Sequence, residues 1–257
     1  MKNKINKIYE EIELYSKELK LSRLKVHFKE YIKEAENTEI SYTTFLHEIL
    51  KKEYERLLDS RLKSRIRLAN FPQKKYLEDL EIEYLPQDAR KKLKLISSLE
   101  FIKTKQNVIL YGNPGTGKTH LAIGIGMKAS IEGYKVLFTT VPQLIIQLKE
   151  SRSSKTLRTF QNKFGKYDLV ICDELGYISF DKEGAELLFS LLSLRASRKS
   201  TTIITTNLSF ERWEEIFNDP VLSAAMIDRL THKAYMINMN GNSYRFKETE
   251  EFINSLN

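Results

Sequence analysis

Eight consecutive residues, Gly112-Asn113-Pro114-Gly115-Thr116-Gly117-Lys118-Thr119, have the types and spacing of a phosphate cradle. An apolar run, Val108–Tyr111, leads into them and a helical pattern follows, the context that gives a GxxxxGK[ST] string its meaning. Glycines let backbone N–H groups converge on an anion where a side chain would collide. The helix that follows points its positive end at the same anion. Lys118 is expected to reach the β- and γ-phosphates, and the Thr119 hydroxyl to ligate Mg²⁺. The segment from Gly112 to Thr119, with His120 beside it, therefore reads as a site for ATP and Mg²⁺.

A second constellation completes that chemistry. Leu169-Val170-Ile171-Cys172 is an apolar strand that ends in Asp173 and Glu174. Downstream of a phosphate cradle, Asp173 is expected to hold Mg²⁺ and Glu174 to orient and polarise the attacking water. Cys172 reads as a small hydrophobe of that strand rather than a nucleophile. Thr202–Thr205 forms another short apolar strand, and Asn207 follows at its tip. Its amide could contact a γ-phosphate or the lytic water, or simply start a turn toward Ser209. Arg229 and Arg245 lie further on. Each could stabilise charge on a transferring phosphoryl group, or be a salt-bridged surface arginine.

The elements that must position these groups are legible in coarse form. Residues 5–67 contain neither Gly nor Pro and show helical apolar spacing, as in Leu14, Leu21, Leu24 and Phe28. Two or three helices are expected there, broken near Asn37–Ser41, with Ser41 able to cap the next one. Asn70-Phe71-Pro72 ends the pattern, because Pro has no N–H and restricts its predecessor. From Asn107 short apolar runs alternate with helical patterns, as in βαβ units. Expected strands are Val108–Tyr111, Lys135–Thr139, Leu169–Asp173, Thr202–Thr205 and Tyr235–Ile237. Expected helices include Thr119–Glu132, Pro142–Ser151, Lys182–Arg195 and Glu211–Phe217. The domain reading is a helical unit over 1–69, a connector with one helix over 70–106, and an α/β unit over 107–257.

Composition excludes several classes. The 257 residues are 41% hydrophobic, enough for a proper core, with no apolar run of membrane-spanning length and no signal-peptide pattern at the N-terminus. One cysteine excludes an internal disulfide framework and fits a reducing cytoplasm. Four scattered histidines offer no metal-ligand spacing. The net charge is +8 and the pI about 9.3, which points to a polyanionic partner. Through Leu85 the chain has 18 basic against 16 acidic residues, and beyond it 24 against 18. Most of the excess therefore lies in the nucleotide-binding part.

The strings "VICDELGYISFDKEGAELLF", "TTIITTNLSF", "DPVLSAAMIDRLTHKAYMI" and "GNSYRFK", in that order after the cradle, resemble the IstB/DnaC branch of the AAA+ ATPases. The resemblance extends upstream through "TFLHEILKKEYERLLDSRLKSRIRLANFPQKKYLEDL" and covers nearly the whole chain. It implies a three-layer α/β fold with a parallel sheet, in which the Asn207 strand separates the P-loop strand from the Asp173 strand. It implies that Arg229 is a finger donated to a neighbouring subunit's ATP and that Arg245 senses the γ-phosphate of its own subunit. It also implies homo-oligomers, as a ring, helix or filament, that form on duplex DNA with ATP and recruit a transposase. A replicative helicase loader of the DnaC kind is the alternative. About twenty residues follow the last strand, so the usual helical lid is expected to be much reduced.

In that light the basic residues between the second and third strands, Lys149, Arg152, Lys155, Arg158, Lys163 and Lys166, read as a DNA-tracking surface. Backbone phosphates need positive charge and small donors, and no base-reading motif is evident. Arg61 and Arg65, spaced i,i+4 on a helix, are expected to add DNA contact from the N-terminal segment, which otherwise reads as a surface for protein partners.

Overall fold

The computed structural model describes residues 2–177, 179–198, 200–217 and 219–255. The chain divides into two compact units, Met1–Ser64 and Arg65–Asn257.

The first unit contains α1 (Lys2–Glu18), α2 (Ser22–Thr38) and most of α3 (Tyr42–Leu68). Phe28 of α2 is buried and meets Tyr9 of α1 edge-on, with ring centroids 5.4 Å apart. Ser41 accepts the Thr44 N–H at 3.2 Å, so α3 begins on the expected cap. Helix α2 has no capping side chain of its own. Glu53 of α3, buried, replaces it by accepting the Leu24 N–H at 2.5 Å, while Arg56 balances the carboxylate at 2.9 Å. A carboxylate at a helix N-terminus complements the positive end of the dipole.

The second unit begins with the last turn of α3, the residues around 70–86, α4 (Gln87–Ser97) and α5 (Glu100–Lys103). An α/β alternation follows: β1 (Val108–Tyr111), α6 (Lys118–Ile131), β2 (Val136–Thr140), α7 (Val141–Ser153), α8 (Leu157–Phe164), β3 (Leu169–Leu175), α9 (Lys182–Ser197) and β4 (Thr201–Thr206). It closes with α10 (Glu214–Phe217), α11 (Pro220–Thr231), β5 (Tyr235–Asn238) and α12 (Tyr244–Ser255). The five strands are parallel in the order β2-β3-β4-β1-β5. As expected, β4 separates the P-loop strand from the Asp173 strand.

Alternation along each strand sends side chains into two cores. Val108, Leu110, Ile171 and Ile203 pack on one face with α6 and the α4–α5 region. Ile109, Val170, Cys172 and Ile204 pack on the other face with α7 and α9. Close approach of α6 to β3 requires Gly126, where a Cβ would meet Ile171 at 2.7 Å and Phe71 at 2.8 Å. Cys172 is fully buried, and burial pushes its thiol up to about 12, so it packs as a hydrophobe. Among the described residues no helix is long and apolar enough to cross a membrane, and no group of His, Cys, Asp or Glu forms a metal-binding cluster.

Three boundaries differ from expectation for physical reasons. Strand β3 continues two residues past Asp173, because a register shift against β4 lets the chain bulge at the carboxylates and re-enter the ladder at Leu175. Helix α8 lies within the basic segment, its Leu157, Phe160 and Phe164 on the core side. The expected helix at Glu211–Phe217 is a 3-10 turn, Phe210–Trp213, followed by the short α10.

Candidate functional site

A cleft of about 600 Å³ opens at the carboxyl ends of β1, β3 and β4. This is where parallel α/β sheets bind ligands, since loops and helix N-termini converge there. The P-loop forms its floor. At Gly112, φ is +142° and a Cβ would stand 2.6 Å from the backbone of Met239 and Asn240, so only glycine fits. Asn240 accepts the Asn113 N–H at 3.0 Å, and the Tyr244 N–H donates to Gly115 at 2.9 Å. The segment after β5 thus braces the outer side of the loop, leaving the inner side to the cleft. Thr116 ties the loop internally by donating to the Asn113 carbonyl at 2.9 Å. Pro114, Gly115, Thr116, Gly117, Lys118, Thr119 and His120 all line the cleft.

Lys118 opens α6 and is only 7% exposed. Its ammonium donates to the carbonyls of Gly112 at 2.7 Å and Asn113 at 2.6 Å. Burial lowers its pKa to about 8; Asp173 opposes the shift and Arg245 adds to it. A charge held this far below its ordinary value gains from an incoming polyanion. His120 is lowered too, by burial, and lies 3.3 Å from the Tyr76 carbonyl.

Thr119 donates to both oxygens of Asp173, at 3.0 and 3.1 Å. Asp173 is 3% exposed, and burial raises its pKa against the pull of Thr205, Thr119 and Lys118. One hydroxyl and one carboxylate meeting here form an all-oxygen donor set, the chemistry a hard divalent cation takes. Glu174, the next residue, has left-handed backbone (φ +63°) and is exposed to the cleft. Burial first, and the charge of Asp173 second, raise its carboxyl above the ordinary range. Asn207 is half-buried and lines the cleft just beyond β4. Arg245 lines it from the first turn of α12.

Part of the wall escaped the sequence reading. Lys74, Lys75, Glu81, Tyr84 and Leu85, from the stretch before α4, line the cleft with Tyr177, Tyr244 and Glu248. Tyr244 donates to Glu81, Lys247 reaches the same carboxylate at 3.2 Å, and the Lys247 ammonium lies 3.3 Å from the centre of the Tyr84 ring. This clasp fastens α12 to the stretch before α4. Thr205, which joins Asp173 and Glu174, was also missed.

Arg229 does not join this cleft. It is exposed on α11, donates to Ser193 at 2.6 Å, stacks over Phe189 at 4.4 Å and lines a separate hollow with Gln161 and Ser190. The basic residues divide as well. Lys149 pairs with Asp181 at 2.7 Å and Arg152 with Glu183 at 3.4 Å, both acids of the α9 N-terminus. Lys155, Arg158 and Lys163 are exposed, with no acidic partner among the described residues. Arg61 is exposed on α3 in the first unit. Arg65, in the second unit, is half-buried and donates to the Ser130 carbonyl at 2.9 Å, closing the last turn of α6.

Comparison with known proteins identifies the chain's relatives. Residues 15–251 match the family model described as IstB-like ATP binding protein. The chain is 36% identical over 238 residues to the protein named as the ATP-binding protein of insertion sequence IS21 of Pseudomonas aeruginosa, covering 93% of this chain and 89% of that one. It is 36% identical over 209 residues to the corresponding protein of IS5376 of Geobacillus stearothermophilus, covering 81% and 83%. Among solved structures, DnaI superposes with a TM-score of 0.54 at 23% identity, over 66% of this chain and 90% of DnaI. DnaA from Aquifex aeolicus, solved with AMPPCP, gives 0.56 at 18%, over 72% of this chain and 56% of DnaA. Those likenesses establish the AAA+ type of fold; the sequence matches establish more, and the chain belongs to the IstB-like family of ATP-binding proteins.

Proposed function

We propose that this chain is a Mg²⁺-dependent ATPase that self-assembles on duplex DNA and recruits a transposase for insertion-sequence transposition. The observation that carries the ATPase reading is the meeting of Lys118, Thr119, Asp173 and Glu174 at the mouth of one cleft. The insertion-sequence names of the relatives carry the biological setting.

In this reading the backbone N–H groups from Gly115 to Thr119 take the phosphates. The Lys118 ammonium leaves its two carbonyls for the β- and γ-oxygens. Thr119 and Asp173 would hold Mg²⁺, which would supply positive charge against the negative charge developing on the phosphates. Glu174, with its raised basicity, accepts a proton from the attacking water. Asn207 fixes that water or the γ-phosphate, and Arg245 contacts the same phosphate from α12. Arg229 serves a neighbouring subunit, which accounts for its exposure away from its own cleft. Lys155, Arg158 and Lys163 are the favoured contacts to DNA phosphates, because their charges are not already matched by acids. Lys149, Arg152, Arg61 and Arg65 belong to a second tier, the first two neutralised by α9 and Arg65 engaged with α6.

Phosphate release and sedimentation, each with and without duplex DNA, test the proposal. Expected are turnover that rises with DNA and a larger species that requires both ATP and DNA; a monomer indifferent to either ligand contradicts it. The fold shared with DnaI gives the helicase-loader reading a footing. Co-sedimentation with a DDE-type transposase from the adjacent coding sequence, set against a replicative helicase, separates the two readings.

A further inference from the structure

Thr205 sits on β4, 2% exposed, with its hydroxyl between the two carboxylate residues of β3. It donates to Asp173 Oδ1 at 2.5 Å and accepts the Glu174 N–H at 3.0 Å. A threonine hydroxyl has one proton and two lone pairs, so these two bonds fix the direction in which it donates. The need for it follows from the strand. Where β3 and β4 slip register between Cys172 and Leu175, the Glu174 N–H loses its ladder partner and its backbone turns left-handed. A non-glycine residue holds that conformation only where its surroundings impose it. Here a side chain from the neighbouring strand does so, and through the same oxygen it aims the adjoining carboxylate.

We propose that Thr205 is a positioning residue for the hydrolysis reaction: one hydroxyl sets both the Asp173 carboxylate and the outward turn of Glu174 into the cleft. The inference rests on the ATPase reading above. Thr119 also bonds Asp173, but in that reading it turns to the metal when nucleotide binds. The Thr205 hydroxyl is already committed to Asp173 and the Glu174 N–H, and in that reading it keeps its grip on Asp173 throughout. It therefore supplies the fixed support that lets a carboxylate wait in place for a cation. Loss of the hydroxyl should leave the P-loop, and so nucleotide binding without metal, intact. It should degrade the steps that need Asp173 and Glu174 to be aimed.

The test compares Thr205→Val, which keeps the shape and removes both bonds, with Thr205→Ser, which keeps both. Metal-free ATP affinity, kcat, KM and the Mg²⁺ concentration giving half-maximal turnover are measured on each, with Glu174→Gln alongside. For Thr205→Val the expected result is metal-free affinity within about twofold of the parent and kcat lower by roughly 10–100-fold, the usual size of a supporting-shell loss. The Mg²⁺ requirement should rise and KM change little. Thr205→Ser should stay within about threefold of the parent in every respect. Thr205→Cys, similar in size with a much weaker donor, carries the test should the valine variant not fold; it should fall between the other two. A valine or cysteine variant with parental kcat and Mg²⁺ requirement overturns the inference. So does equal impairment of the serine and valine variants, which marks a packing role. If Glu174→Gln is inactive while Thr205→Val is normal, only this inference fails; if the parent protein releases no phosphate, the ATPase reading fails with it.

Discussion

The cleft above β1, β3 and β4 and the hollow beside Arg229 treat charge in opposite ways. In the cleft, Lys118 and Asp173 are almost wholly buried, and each is held by at least two hydrogen bonds within the subunit. Burial there moves both pKa values toward the neutral form, a cost that an arriving triphosphate and the proposed Mg²⁺ would relieve. In the hollow, Arg229 keeps its guanidinium in solvent, steadied by one hydroxyl and one ring. The first site is prepared for a ligand that enters its own subunit. The second presents a cation in a hollow separate from that cleft. On the proposed reading, the contrast teaches that a single chain gathers most of the catalytic groups in one cleft and leaves Arg229 on another face.

The largest effects should come from the buried side of that contrast. Lys118→Ala removes the P-loop's side-chain cation and is expected to weaken ATP binding by roughly 10²-fold or more. Glu174→Gln should keep parental affinity while phosphate release falls by a similar factor, since an amide is no base and Asp173 is untouched. Nucleotide titration and steady-state phosphate release on both variants check this. Equal loss of binding in the two would remove Glu174 from its assigned place.

Much of this arrangement was legible in sequence, and the exceptions have a common cause. The run Val108–Thr119 and the pair Asp173–Glu174 are continuous strings whose local geometry and chemistry coincide, so their elements could be anticipated, whereas the order of the parallel sheet followed from the family resemblance. Thr205 is one of four threonines on β4, and nothing in a strand pattern says which hydroxyl faces a bulge on its neighbour. The bulge itself is invisible because it depends on register. Glu81 and Tyr84 lie some 160 residues from Tyr244 and Lys247 in sequence and meet them only through folding. Helix α8 was hidden by its own surface: the lysines and arginine that suggested a DNA track obscure Leu157, Phe160 and Phe164 at helical spacing. Arg245 reaches the cleft from the first turn of α12, a placement that its position in sequence does not disclose.

Smaller effects should follow from the exposed charges. Replacing Lys155 and Arg158 together by Ala should weaken duplex DNA binding and reduce the log–log salt slope by about two, at roughly 0.9 per phosphate contact. Replacing Lys149 and Arg152 should change the slope less, because Asp181 and Glu183 already offset them. Binding isotherms across a salt series decide; equal slopes for the two pairs would erase the distinction drawn from ion pairing.

The smallest effect is expected at the clasp on α12. The Tyr244 hydroxyl and Lys247 hold the Glu81 carboxyl below its ordinary value of 4.5. A lowered folded value means the contribution is complete above that ordinary value and is lost as the pH falls through the folded one. Proteolysis of α12 should therefore be slow at pH 7 and accelerate only as the pH falls below 4.5 toward the lowered folded value, and Tyr244→Phe should be faster than the parent at pH 7 by a few-fold. No difference between variant and parent at pH 7 would reduce the clasp to a surface contact.

Mixing two inactive variants tests the central claim, that the chain's catalytic apparatus is completed by a neighbour, most directly. Arg229→Ala should bind ATP as the parent does yet release phosphate about 10³-fold more slowly, the scale of an arginine finger. Glu174→Gln should be inactive for the reason given above. When the two are combined with duplex DNA, some interfaces join an intact Glu174 cleft to an intact Arg229 from the adjoining subunit. Phosphate release measured across mixing ratios should then recover in part, with a maximum at intermediate ratios. If co-assembly is demonstrated by sedimentation and no ratio restores activity, Arg229 acts within its own subunit or only supports the fold, and the account of a shared site is wrong.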